Sequence, residues 1–350
     1  MYTNDKTVKV KVGNTYIGGG AEFSEQSMLC VPAHDIKGNV EQALRLQSAG
    51  CDIVRVTVPD KEALKTVEAL KKAIDIPLVA DIHFDYRLAV ESVAAGVDKI
   101  RINPGNIGSD DKVKAVADAC RKAGVPIRIG VNSGSLEKEI LAKYGAVTPE
   151  AMVESGLYHI SLLEKFDFSD IVLSLKSSDT QNMYKAYELA AQKCRYPLHL
   201  GVTEAGTENM GIIKSAAGIG GLLLRSIGNT IRISLTDDPV KEVEAGIKLL
   251  KAIGIRNDGI KFVSCPTCGR TEIDLIGIAK EAEKRLAKIN KNLTVAIMGC
   301  VVNGPGEANA ADIGVAGGKG CGVIFKKGEI IAKLPENQLL DRLVEEVEKM

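Results

Sequence analysis

The chain has 350 residues, room for more than one domain and at most three, and its 45% apolar content suffices for a substantial core. Lys+Arg and Asp+Glu each total 45, and the resulting zero net charge excludes a general nucleic-acid or membrane-surface binder. No apolar signal core opens MYTNDKTVKV, no apolar run approaches the ~18 residues of a membrane span, and eight cysteines are too sparse for a disulfide scaffold, so a cytoplasmic chain with free thiols is expected.

From about residue 25 to 255 one unit repeats: a short strand-like run, polar residues, then a helix-period stretch. The strand candidates are EQSML (25–29), DIVRVTV (52–58), PLVADIHF (77–84), KIRINPG (99–105), PIRIGVN (126–132), DIVLSLKSS (170–178), PLHLGVTEA (197–205) and TIRISLT (230–236). Between them lie stretches such as DKEALKTVEALKKA and PVKEVEAGIKLLKAIG, several ending in Gly as helix C-termini do. This succession predicts a (β/α)₈ TIM barrel, residues 1–254, as the substrate-binding domain. The alternative is a doubly wound open sheet. It is disfavoured because no Gly-rich dinucleotide fingerprint follows the first strand. GIGG at 218–221 falls inside a helical pattern, so close helix packing accounts for it better than a phosphate loop. After Gly254 the rhythm changes. A linker, a strand, a CPTCGR turn, a helix, more strands and a terminal helix predict a smaller α/β domain, residues 255–350.

The barrel strands alternate in an unusual way. Arg55 shares a face with Thr57, Asp81 with His83, Arg101 with Asn103, and Arg128 with Asn132. Lys176 with Ser178, His199 with Thr203, and Arg232 with Ser234 repeat the pattern. The positions between them are apolar and suit packing on helices. The inward face is therefore polar, and Arg55, Arg101, Arg128, Lys176 and Arg232 bring cations to it. Guanidinium forks converging in a confined space match phosphate, so a phosphate- or diphosphate-binding mouth is expected at the C-terminal ends of the strands. The competing reading pairs these cations with Asp81, Glu204 and other acids in a structural network. Glu204, in TEAG, is the best acid–base candidate, while His34 and His159 have no context.

Cys265 and Cys268 in CPTCGR form a metal knuckle. Cys300, which opens CVVNGPGE, and Cys321, in GGKGCG, are candidate partners. All four cysteines would make a zinc site. Three would hold an iron–sulfur cluster whose odd corner takes another ligand, and Glu307 follows Cys300. Cys51 and Cys120 lie in or beside helical stretches and read as small apolar groups.

VGN (12–14), TVPD (57–60), VADIHFDYR (79–87), RINPGNIG (101–108), IRIGVNSGSLEK (127–138), HLGVTEAG (199–206), CPTCGR (265–270) and CVVNGPGEA (300–308) together resemble the 4-hydroxy-3-methylbut-2-enyl diphosphate synthase family. The match runs from about residue 8 onward. One run departs from it: SMLCVPAHD at 27–35 stands where the family has an SMTNT-like sequence. The resemblance implies an iron–sulfur oxidoreductase of the non-mevalonate isoprenoid pathway, with a [4Fe–4S] cluster on Cys265, Cys268, Cys300 and Glu307. It implies reductive opening of 2-C-methyl-D-erythritol 2,4-cyclodiphosphate, and it leaves Cys321 outside the ligand set.

Without a nicotinamide fingerprint, electrons are expected singly from a small redox protein, flavodoxin or ferredoxin. A zinc-stabilised barrel lyase or a phospho-sugar binding protein is the alternative class. The last barrel helix, about Pro239 to Ile253, descends roughly 20 Å, and the linker from Gly254 to Gly259 spans at most ~20 Å. The second domain is thus tethered near the bottom of its own barrel. With the resemblance, this predicts a head-to-tail homodimer whose site is shared between chains.

Overall fold

The computed structural model describes residues 4–287, 289–300 and 311–350, and the chain divides into two units, Met1–Ile255 and Arg256–Met350. In the first unit, a hairpin of β1 (Val10–Val12) and β2 (Thr15–Ile17) precedes the parallel strands. These are β3 (Ser24–Met28), β4 (Ile53–Thr57), β5 (Leu78–Asp81), β6 (Lys99–Ile102), β7 (Ile127–Asn132), β8 (Ile171–Lys176), β9 (His199–Leu200) and β10 (Thr230–Ile231). The ladder runs β8-β7-β6-β5-β4-β3-β10-β9, and a parallel bridge from Leu173 to Leu198 joins its two ends. This is the expected eight-stranded barrel. The expected strands 197–205 and 230–236 are much shorter than their apolar runs, because the ladder stops just before Gly201 and Arg232.

The alternation of the strands decides their faces. Val54, Val56, Ile100, Ile102, Ile127 and Ile129 are buried outward, against the helices. Asp35, Asp85, Thr148, Asp179 and Asp238 each accept a backbone N–H in the first turn of the following helix, which starts those helices immediately after the loops. Inward, at the N-terminal ends of the strands, Ile53, Val79 and Val172 pack with Val10, Val12 and Ile17. The hairpin thereby plugs the bottom of the barrel with an apolar layer, and the polar positions lie above it. The GIGG segment lies in a distorted helix where a Cβ on Gly218 would stand 2.4 Å from Met183, so close packing is indeed its role.

The second unit is one sheet in the order β11 (Ile260–Ser264), β12 (Leu293–Met298), β13 (Ile313–Gly318), β14 (Cys321–Lys326) and β15 (Glu329–Pro335). The first three strands are parallel and the last pairings antiparallel. Helices Leu275–Leu286 and Glu336–Lys349 cover one face through Leu275, Leu286, Leu339, Leu343 and Val347. β13 carries three glycines in the run IGVAGG. No helix among the described residues is long and apolar enough to cross a membrane.

Candidate active site

Arg55, Asp81, His83, Arg101, Arg128, Asn132, Lys176 and Arg232 line a single cavity of about 320 Å³ at the C-terminal ends of the barrel strands. Thr57, Ser174, Thr203 and Ser234 share its wall. The phase of the alternation thus brings together residues that are far apart in the chain. Two glycines make the crowding possible. A Cβ on Gly130 would stand 2.4 Å from Arg101 Nε, and one on Gly201 would stand 2.6 Å from Lys176 Nζ.

The cations are partly neutralised. Asp81 accepts from Arg101 Nη1 at 3.1 Å and lies 3.6 Å from Arg55 Nε and 4.0 Å from His83 Nε2. Burial works to raise the Asp81 carboxyl, but Arg55 and Arg101 outweigh it and hold the group at about 2. Arg232 lies 3.5 Å from Glu242, a buried acid that also accepts Leu235 N–H at 2.8 Å and faces the Ser27 hydroxyl at 3.3 Å. Arg55 rests on Met28, with Nε 3.2 Å from the sulfur. Burial brings Arg55 down to about 10, with Asp81 opposing and Arg232 and Arg101 adding to the fall. Arg128 and Lys176 have no acid at ion-pair distance among the described residues. Burial and then neighbouring cations push both well below their ordinary values. The structural-network reading therefore accounts for part of the cation set, and an excess of positive charge faces the cavity.

Other expected residues stand outside that cavity. Asn103 is buried and its Oδ1 accepts the Gly130 N–H at 3.0 Å, so it fixes the strand on which Arg101 rests. His199 is fully buried, with Nδ1 3.5 Å from Thr230 Oγ1. Glu204 is exposed and lies in an adjoining depression with Ser177, Ser178 and Asp179. Asn132 and Thr203 belong to both cavities, so the two are contiguous. Glu204 holds a left-handed φ of 51° and forms no ion pair with Arg128 or Lys176 among the described contacts. A strained, unpaired carboxyl beside a cationic cavity suits a working acid. His34 pairs with Asp60 at 2.8 Å, and His159 lies 2.6 Å from Glu137 and accepts Gly105 N–H at 3.1 Å, which explains both without a catalytic role.

In the second unit, Cys265 follows β11 and Cys300 follows the neighbouring parallel strand β12. The Gly299 N–H donates to Cys265 Sγ at 3.3 Å, which places the two cysteine segments side by side. Cys268 is exposed in the turn, and the Arg270 N–H draws its thiol below the ordinary value. Among the described residues no three Cys, His, Asp or Glu side chains are gathered closely enough to hold a metal ion. Glu307 lies outside the described residues. The donors that are described fit a thiolate-ligated iron–sulfur group in type: soft sulfurs at adjacent strand ends, one of them receiving a backbone N–H. Cys51 and Cys120 are buried, and burial pushes the Cys120 thiol up to about 12. They pack as apolar groups, as expected.

Fold and site define a (β/α)₈ barrel with a cation-lined mouth, joined to a thiol-bearing α/β domain. Residues 7–247 match the model of the GcpE TIM-barrel domain, and residues 261–349 match that of the GcpE protein C-terminal domain. The chain belongs to the GcpE family. A relative from Clostridium perfringens is 58% identical over 343 residues, 98% of each chain. One from Clostridium acetobutylicum is 56% identical over 345 residues, 99% of each. One from Geobacillus thermodenitrificans is 55% identical, over 99% of this chain and 92% of that protein. All three are named 4-hydroxy-3-methylbut-2-en-1-yl diphosphate synthase (flavodoxin). Among solved structures, a Yersinia pestis dihydropteroate synthase matches with a TM-score of 0.52 at 14% identity, covering 71% of this chain and 98% of that one. A 3-dehydroquinate dehydratase from Geobacillus kaustophilus gives 0.51 at 14%, with the same coverage. These two show the barrel fold alone.

Proposed function

We propose that this chain converts 2-C-methyl-D-erythritol 2,4-cyclodiphosphate to 4-hydroxy-3-methylbut-2-enyl diphosphate. The observation that carries this reading is the excess of buried cations around a cavity of about 320 Å³, in a chain whose relatives bear that enzyme's name over nearly full length. The reaction takes in two electrons and two protons, opens the bond from carbon to the ring phosphate, and releases water. Arg128, Lys176 and Arg232 hold the phosphoryl groups, and Arg55 and Arg101 are aimed by Asp81. His83 and Asn132 face the same space and orient the carbon skeleton. Asn103 and His199 act from behind it. Glu204 supplies the proton with which the hydroxyl leaves as water.

Cys265, Cys268, Cys300 and Glu307 are the proposed ligands of a [4Fe–4S] cluster. When bound, the cluster supplies one-electron reduction, and flavodoxin is the proposed donor, with ferredoxin the alternative. A cytoplasmic homodimer completing each site across chains belongs to the same proposal. Mixed dimers of Glu204→Gln and Cys300→Ser chains test it, since only a cross-chain site regains activity. The functional reading itself is tested by anaerobic purification. The protein should be brown, with about four iron and about four sulfide per chain, and should open the cyclodiphosphate with reduced flavodoxin. Colourless, zinc-loaded protein would overturn it.

A further inference from the structure

Below the cavity floor lies a second polar ring. Lys99 is two residues before Arg101 on β6 and therefore points the same way, toward the barrel axis. Arg128, Ser174 and His199 follow on β7, β8 and β9, with Thr230 on β10. All are buried, and Lys99 and His199 are fully so. Lys99 Nζ, His199 Nε2, Ser174 Oγ and two nitrogens of Arg128 meet no hydrogen-bond partner among the described residues.

The nearby acids are engaged elsewhere. Asp81 faces Arg55 and Arg101, and Glu242 faces Arg232. Asp98, just before Lys99, pairs with Lys71 and accepts Leu78 N–H at 2.8 Å. The Tyr187 hydroxyl donates to the His199 carbonyl at 2.6 Å and accepts Leu175 N–H. Burial first, then Arg128 and Arg55, push the Lys99 ammonium well below its ordinary value, with Asp98 opposing. Burial, then Arg128, Lys176, Lys99 and Arg55, do the same to His199. Desolvation and like charge thus both work against the protonated forms of Lys99 and His199.

We propose that Lys99 is a further residue of the substrate site and forms, with His199, a proton-accepting pair that becomes charged when a dianionic ligand seats above it. The inference rests on the cyclodiphosphate reading. A doubly negative ligand in a poorly screened cavity replaces repulsion by attraction, so binding and proton uptake reinforce each other. The sign follows from linkage. Groups whose proton affinity is low in the free protein and higher in the complex take up protons on binding, and affinity falls as pH rises. Arg128 and Ser174 reach the cavity wall, whereas Lys99 and His199 lie a layer beneath it and act on the ligand through charge.

The test is calorimetry of the anaerobic, cluster-loaded protein with 2-C-methyl-D-erythritol 2,4-cyclodiphosphate and no reductant. Each ring phosphoryl group carries one strongly acidic hydroxyl, so the ligand keeps its charge through the neutral range and any proton exchanged belongs to the protein. Heats compared across buffers of low and high ionisation enthalpy should show uptake on the order of one proton per ligand. Within that window affinity should fall roughly tenfold per pH unit. Lys99→Met and His199→Gln should each reduce the uptake while the ligand still binds. Binding with no proton uptake from about pH 6 to about pH 9 overturns this inference and leaves the functional reading standing. Undiminished uptake in both variants also overturns it. No binding at all takes down both.

Discussion

Arg101 crosses the barrel mouth over Gly130, donating from Nη2 to the Gly130 carbonyl at 2.9 Å. A Cβ at position 130 would meet Arg101 Nε at 2.4 Å, Nη2 at 2.9 Å and Cζ at 3.0 Å. Those atoms end a flexible side chain, so the guanidinium yields and the backbone does not. Gly130→Ala should therefore leave the fold intact and misplace Arg101. One charge-assisted hydrogen bond is worth roughly 1.5–3 kcal/mol, so cyclodiphosphate affinity should fall about 10- to 100-fold. Calorimetric titration beside a melting curve checks this. Unchanged affinity would show that Arg101 does not need this track.

Removing different arginines should have different consequences. Arg101 helps to neutralise buried Asp81, whereas Arg128 has no acid at ion-pair distance among the described residues. Arg101→Met should lower both affinity and stability, the latter by about 1–3 kcal/mol, because an acceptor loses its partner. Arg128→Met should lower affinity as much while the melting temperature holds or rises, since an uncompensated buried charge is gone. Equal destabilisation by both would return Arg128 to a purely structural role.

The mouth also sets an acid limit. Asp81 is held at about 2, below the ordinary aspartate value of 3.8, by Arg55 and Arg101. A carboxylate depressed on folding contributes stability that is present above about pH 4 and lost as pH falls toward about pH 2. Asp81→Asn should destabilise the barrel at neutral pH by roughly 2 kcal/mol. The gap from the parent should close across that acid window. Urea unfolding at stepped pH measures it, and a gap independent of pH would mean that the pairing with the arginines is not its source.

Much of the mouth was legible because β-strand alternation is strict. A cation at one position fixes the direction of residues two away, and Arg55, Arg101, Arg128, Lys176 and Arg232 fall into one cavity for that reason. Lys99 obeys the same phase, but it opens its strand, where a lysine ordinarily reaches solvent. The plug formed by Val10, Val12 and Ile17 instead seals that end. Glu242 escaped because it comes from the helix Pro239–Ala252, where strand periodicity says nothing. The plug itself consists of strands of three residues, too short for periodicity to register. In the second unit, β13 is hidden by glycines that close packing demands. A Cβ on Gly314 would stand 2.4 Å from both the Ala296 carbonyl and Phe325.

Glu204 is held at φ 51° beside the cationic cavity, with no ion pair among the described contacts. Glu204→Gln keeps its shape and its reach but removes the transferable proton. Turnover should fall by roughly 10²–10⁴-fold, the usual contribution of a general acid or base. Iron content and cyclodiphosphate affinity should stay near those of the parent. Full turnover in this variant would remove Glu204 from the chemistry.

The ligand set is separable from the remaining thiol by strand order. Cys265 and Cys300 follow the C-terminal ends of the neighbouring strands β11 and β12, while Cys321 opens β14, beyond β13. Two strand spacings put β14 roughly 10 Å from β12, so Cys321 stands across an intervening strand from the Cys265 and Cys300 segments, which are side by side. Its register partner, Gly318, ties it into the β13–β14 ladder instead. Cys300→Ser should lose most of its iron and sulfide and its brown absorbance. Cys321→Ser should keep all three. Glu307→Ala should retain a cluster on three cysteines that bleaches faster in air. If Cys321→Ser sheds iron as thoroughly as Cys300→Ser, Cys321 belongs among the ligands and the set proposed here is wrong.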